Sequence, residues 1–200
     1  IHTEYQWRRI NGFQNWQQSL ARVGLDYHFN NQNSITAGYG WIVSYPYGKF
    51  PVASTFNEHR IWQQFITKNN SGRFYFDHRY RLEQRFLEQK ISSNQGFVSD
   101  GFKFKQRARY RFMLAIPLSK PSMEDGTLFC ALYDEVFLGF GKNIKANILE
   151  QNRLYGALGW KFNSNFNLQF GYLNQIIVKS DGWKIERNHL IQMGVAYNFK

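Results

Sequence analysis

Hydrophobic and polar residues alternate along most of this chain. Between residues 73 and 86, Phe74, Phe76, His78, Tyr80, Leu82 and Phe86 share one face. Arg73, Tyr75, Asp77, Arg79, Arg81, Glu83 and Arg85 share the other. Residues 103–116 repeat the pattern, with Phe104, Ala108, Tyr110, Phe112, Leu114 and Ile116 opposite Lys103, Lys105, Arg107, Arg109 and Arg111. A period of two marks a strand with unlike faces. It predicts ten strands, at about 2–10, 17–29, 34–45, 56–67, 72–88, 102–118, 127–140, 150–162, 166–179 and 183–199. Many exceed the ~5–6 residues usual in globular sheets and reach the roughly 9–11 that cross a bilayer at a tilt.

The connections add a second pattern. Segments 30–33, 68–71 and 163–165 read as short turns, and 46–55, 89–101 and 141–149 as longer loops. Segment 119–126 breaks this alternation mildly. Short turns at one end and long loops at the other are typical of outer-membrane barrels. Asp181-Gly182 is a strong hairpin signal. It makes partner numbers sum to 363, which sets Tyr172 opposite Ile191, Phe170 opposite Met193, Leu168 opposite Val195 and Phe166 opposite Tyr197. All four pairs are apolar, so turn chemistry and alternation agree on one register.

Composition narrows the class. Aromatic residues make up 18% of the chain, too much apolar surface for a disordered protein. Mean hydropathy is −0.53, and no run approaches the roughly 18 apolar residues of a membrane helix. A soluble β protein and a membrane barrel remain. Which one depends on where the charge sits. The apolar face is rich in Phe, Tyr and Trp along whole strands, while glycines such as Gly24, Gly38, Gly40, Gly171 and Gly194 lie mostly on the polar side, as in a crowded lumen. The last strand carries Met193, Val195, Tyr197 and Phe199, similar to the C-terminal assembly signal of outer-membrane proteins. The expected fold is all-β: a transmembrane antiparallel up-and-down β-barrel of at least ten strands, forming one domain over residues 1–200 of the bacterial outer membrane. The chain opens with Ile1 inside a strand, so a signal peptide and some N-terminal residues are expected to precede it, giving ten or twelve strands in the intact protein.

A resemblance supports this. The segments EYQWRR (4–9), LARVGLDY (20–27), TAGYGWIVSYPYG (36–48), FNEHRIWQQF (56–65) and HRYRLEQRFL (78–87) resemble the domain of unknown function family 2490. So do RARYRFMLAIPL (107–118), YDEVF (133–137), NRLYGALGWKF (152–162) and GYLNQ (171–175). The resemblance implies an uncharacterised outer-membrane barrel of a kind frequent in Bacteroidota. It implies no activity.

The charges are the most informative candidates for a site. The sequence has 25 Lys plus Arg against 14 Asp plus Glu, a formal net charge of +11. The polar faces of 72–88 and 102–118 hold Arg73, Arg79, Arg81, Arg85, Lys103, Lys105, Arg107, Arg109 and Arg111 against Asp77 and Glu83. Neighbouring like charges need acids or anions between them. Glu4, Asp26, Glu58 and Glu135 are the candidate counter-charges, and Arg8, Arg22, Arg60 and Arg153 enlarge the network. Side chains fill the interior of a narrow barrel, so an ion-pair plug is expected, with Arg81 and Arg109 partnering Glu83. A weakly anion-attracting channel or anion site is the functional alternative.

Other chemistry is weaker. Asn174 faces His189 across the hairpin, and Ser180 is nearby. Asn-His-Ser is a feasible hydrolase set, and a lipid-modifying hydrolase is the rival reading. The five histidines share no metal-ligand spacing, and no nucleotide fingerprint occurs, so no cofactor is expected. Arginines that alternate inward form no exposed stripe for nucleic acid. Lys49, Lys142 and Lys145 lie in predicted loops, where lipopolysaccharide phosphates are in reach. Trp7, Trp16, Tyr45, Tyr47, Trp160 and Trp183 fit aromatic girdles at strand ends. The expected role is non-enzymatic: an accessory subunit bound to other outer-membrane proteins, or a narrow channel.

Overall fold

A computed structural model describes residues 1–94 and 96–198. It is all-β, with no helix among the described residues. The strands are β1 (His2–Ile10), β2 (Asn15–His28), β3 (Asn33–Ser44), β4 (Phe56–Ser71), β5 (Phe74–Ser93), β6 (Gly96–Pro117), β7 (Thr127–Phe140), β8 (Leu149–Lys161), β9 (Phe166–Val178) and β10 (Ile185–Tyr197). Each pairs antiparallel with the next, so β1 to β10 form one up-and-down sheet in chain order. The sheet curls into a barrel-like shell until side chains of β1 and β9 border one cavity. Among the described residues, β1 and β10 are not paired with each other, leaving a seam.

The β9–β10 hairpin has the expected register, with Tyr172 opposite Ile191, Phe170 opposite Met193 and Phe166 opposite Tyr197. Its turn is held by Gly182 N donating to Lys179 O (2.9 Å) and Lys179 N donating to Lys184 O (2.9 Å). The Asp181 carboxylate accepts from the backbone N–H groups of Lys184 (2.9 Å) and Trp183 (3.0 Å). Phe199, the expected end of the last strand, lies outside the described residues.

Two connections differ from expectation. Segment 68–71 belongs to β4, which runs to Ser71 before the turn. Segment 89–101 is no loop: β5 and β6 continue as a paired hairpin, with Lys90 opposite Ser99, Ile91 opposite Val98 and Ser93 opposite Gly96. Its Gly, Ser and Asn content hides a strand pattern carried only by Ile91, Phe97 and Val98. These three side chains are exposed, so the hairpin projects without a packed face. Replacing 89–101 with an Asn-Gly turn is expected to leave the shell folded, at a cost within about 1 kcal/mol. Retention of the heat-modifiable gel shift checks this.

Polarity is inverted relative to a soluble domain. The outer wall exposes Leu25 (71%), Phe170 (59%), Leu158 (56%) and Ile191 (76%). The buried side chains are instead largely charged or amide: Arg22, Glu58, Arg60, Arg81, Glu83 and Glu135 among them. Aromatic clusters gather at both strand ends. Trp7, Phe13, Trp16 and Tyr45 meet at the long-loop end, and Trp160, Phe162, Phe166 and Tyr197 at the other. Tyr47 and Trp183, expected in these girdles, do not join them. Tyr47 turns over the lumen. Trp183 stands almost fully exposed at the β9–β10 turn.

Candidate functional site in the lumen

Strands β4, β5, β6 and β8 point their charged residues inward, and these close on one another. Arg60 pairs with Glu58 (2.5 Å) and Glu83 (3.3 Å). Arg107 pairs with Glu83 (2.5 Å) and Glu150 (3.3 Å). Arg85 pairs with Glu150 (3.3 Å) and Glu58 (2.8 Å). Three arginines and three glutamates thus alternate in a closed ring. Arg109 bridges Glu83 (2.7 Å) to Glu135 (2.7 Å), and Glu135 also accepts from Arg79 (2.7 Å). Nearer the short-turn end, Arg111 pairs with Asp77 (2.7 Å). On the seam side, Arg22 pairs with Glu4 (3.0 Å). Planar guanidinium forks suit such shared carboxylates, since each offers several donors in fixed directions. Phe137 lies beside them, with the guanidinium groups of Arg109 (4.3 Å), Arg153 (4.9 Å) and Arg107 (5.0 Å) over its ring.

Most of the expected charge set converges here, with exceptions. Arg73 lies at the β4–β5 turn and donates to the backbone oxygens of Pro117 (2.7 Å) and Lys120 (3.3 Å), outside the network. Arg81 is buried but binds no carboxylate among the described residues. It donates to Gln64 Oε1 (3.1 and 2.5 Å) and stacks on Trp62 (4.7 Å), so it is not the ion-pair partner expected for Glu83. Arg153 makes no ion pair either. Asp26, a candidate counter-charge, accepts from Thr36 (2.6 Å) instead of an arginine.

Glu150 was not in the expected set. Its neighbours Gln151 and Arg153 alternate inward, which would send Glu150 outward. The β7–β8 register slips there: Phe137 faces Gln151 and Leu138 faces Leu149, leaving Glu150 as the extra residue of a bulge. A bulge re-aims its side chain, and Glu150 turns inward to complete the ring.

Both mouths are partly covered. At the short-turn end, residues 118–126 fold back, with Met123 N donating to Tyr75 Oη (3.0 Å) and Lys161 Nζ donating to Met123 O (2.7 Å). Met123, Met113 and Tyr75 pack on buried Ala115, Phe129 and Ala131. At the other end, the β3–β4 loop reaches across the mouth to β9 and β10. Lys179 Nζ donates to Phe50 O (3.4 Å) and pairs with Glu186 (2.9 Å). The Glu186 carboxylate lies so close to Gly48 that a Cβ there would meet it at 2.7 Å, and Gly48 has φ +78°.

The outer wall holds His189, opposite Asn174 as expected. His189 Nδ1 hydrogen-bonds Tyr172 Oη, and Asn174 Nδ2 lies 3.5 Å away. Among the described residues no hydrogen bond joins Ser180 to His189. Two other outer histidines have the same arrangement: His59 with Tyr39 (2.5 Å) and His78 with Tyr110 (2.9 Å). A tyrosine hydroxyl that satisfies a wall histidine is thus a repeated packing device. Among the described residues, no cluster of His, Cys, Asp and Glu is arranged to hold a metal ion.

An up-and-down sheet with apolar side chains outside and an ion-paired interior defines a β-barrel-like protein. Residues 1–198 match the family described as Protein of unknown function (DUF2490), and the chain belongs to it. No curated protein and no solved structure matches the chain.

Proposed function

We propose that this protein is an outer-membrane β-barrel that catalyses no reaction. It acts as a structural or accessory component of that membrane, through its outer wall and its long-loop end. One observation carries the reading: the charged side chains are the buried ones, and they close into a ring across the lumen, while aromatic and aliphatic side chains cover the outside. A wall of that kind suits lipid, with aromatic clusters at two levels for the interfaces. Ring members spent on each other leave no open charged path, which favours a sealed lumen over a channel. Outer-membrane lipid, lipopolysaccharide and other outer-membrane proteins are the partners this surface suits. The hydrolase reading loses support because His189 is engaged by Tyr172 and Asn174, and among the described residues no serine, threonine or cysteine is hydrogen-bonded to it.

Planar-bilayer recording on the purified protein tests the reading. Insertion into the bilayer with little steady conductance is expected. Large, stable, anion-selective currents would replace it with the channel reading, and failure to insert would end both. A lipid-hydrolysing activity lost in His189→Ala would establish the hydrolase.

A further inference from the structure

Above the ring, at the long-loop end, lies a cavity of about 210 Å³. The β3–β4 loop roofs it with Tyr45, Tyr47, Phe50 and Val52. Its lining has seven arginines and Lys179 but a single carboxylate, Glu58. Arg22 and the ring arginines are neutralised by their own glutamates. Two arginines are not. Arg8, from β1, and Arg153, from β8, make no ion pair among the described residues, and both line this cavity. Arg8 spends Nε (3.1 Å) and Nη2 on the Gln6 amide oxygen, leaving Nη1 without a hydrogen bond among the described residues. With the Gln151 amide oriented to present its oxygen, Arg153 donates to it (3.1 Å), and the guanidinium lies over the Phe137 face. Burial pushes the Tyr47 phenol above its ordinary value, and the Glu186 carboxylate adds to this. Tyr47 is therefore a neutral donor in the roof.

We propose that this cavity is a binding site for a single phosphate-type oxyanion, held between Arg8 and Arg153. The inference goes beyond the accessory reading and holds whether or not the lumen conducts. Arg8 and Arg153 line one cavity with no ion-pair partner in contact, Glu4 and Glu135 acting on them only at longer range, and an anion between two such guanidinium groups turns their repulsion into attraction. Their N–H forks match phosphate oxygens. The volume is several times the ~30 Å³ share of a liquid water, yet below the ~300 Å³ at which sites for larger ligands begin. A small polyanion therefore fits better than an extended ligand.

The test is equilibrium dialysis of the folded protein, in nonionic detergent, against radiolabelled inorganic phosphate at an ionic strength fixed with chloride. Saturable binding of one phosphate per chain is expected. The Arg8→Gln/Arg153→Gln double variant should bind at least about tenfold more weakly, and Lys68→Gln, exposed at the short-turn end of β4 and outside the cavity lining, should bind as wild type does. Without phosphate, the double variant should keep its heat-modifiable fold to a temperature no lower than wild type, because it loses repulsion and no ion pair. Glycerol 3-phosphate that displaces the label, while phosphatidylglycerol in mixed micelles does not, assigns the anion to solution; the converse assigns it to a lipid headgroup. Absence of saturable binding in wild type, equal displacement by chloride, or undiminished binding in the double variant overturns the proposal.

Discussion

A Glu83→Gln protein is expected to unfold about 3–5 kcal/mol more easily than wild type, the usual cost of removing one partner from a buried ion pair. Glu83 is 1% exposed and accepts from Arg60, Arg107 and Arg109 together. Glutamine keeps the shape and one acceptor oxygen but removes the charge that holds three guanidinium groups at one point. Water cannot screen them there, so their mutual repulsion is felt in full. Urea titration of the protein folded in lipid vesicles, followed by tryptophan fluorescence, measures the loss. A change under about 1 kcal/mol would mean that the ring is wetter and looser than its geometry. Arg81→Gln is the matched control. Arg81 leaves no carboxylate behind, because its partners are the Gln64 oxygen and the Trp62 face. Its cost should fall well short of that for Glu83.

The contrast between Glu83 and Arg81 also shows what alternation can reveal. A period of two tells which residues share a face, and it put Glu58, Arg60, Glu83, Arg107, Arg109 and Glu135 in one lumen. That list holds because most of these strands are long and regular, and a strand's two faces follow directly from its register. Pairing within the lumen is a different matter, since it depends on curl, stagger and side-chain reach. Arg81 and Arg109 look alike in the sequence, yet one meets an amide and the other two carboxylates. Glu150 was hidden by the bulge that turns it inward, and a bulge leaves no trace in the alternation itself. Segment 119–126 reads only as a connection that mildly breaks the alternation of short turns and long loops, because nothing local to Lys120–Asp125 announces that Met123 will pack back among Ala115, Phe129 and Ala131. The 89–101 hairpin reads as a loop for the opposite reason, since its backbone pairs without much apolar pattern.

Trp62 yields the second large effect. It is the largest fully buried side chain and stands on the polar face of β4, between Arg60 and Gln64. Room for it comes from glycine. A Cβ at Gly38 would lie 2.7 Å from the indole and 2.3 Å from the Val23 carbonyl oxygen, and one at Gly24 would lie 3.1 Å from the indole. The ring also carries the Arg81 guanidinium at 4.7 Å and the His2 ring edge-on at 5.6 Å. Trp62→Ala empties this space where neighbouring glycines cannot fill it, so a loss of about 3–5 kcal/mol is expected. Trp62→Phe should behave differently. The indole Nε1–H is buried without a hydrogen-bond partner, a state that costs roughly 1–3 kcal/mol. Phenylalanine removes that cost while keeping an aromatic face under Arg81, which offsets much of the lost volume, and a net change of about 1 kcal/mol or less follows. The same urea titration separates the two variants. If alanine and phenylalanine fall within about 1 kcal/mol of each other, the lumen around Trp62 refills with water or neighbouring side chains, and tight packing against Gly24 and Gly38 is not what holds this part of the sheet.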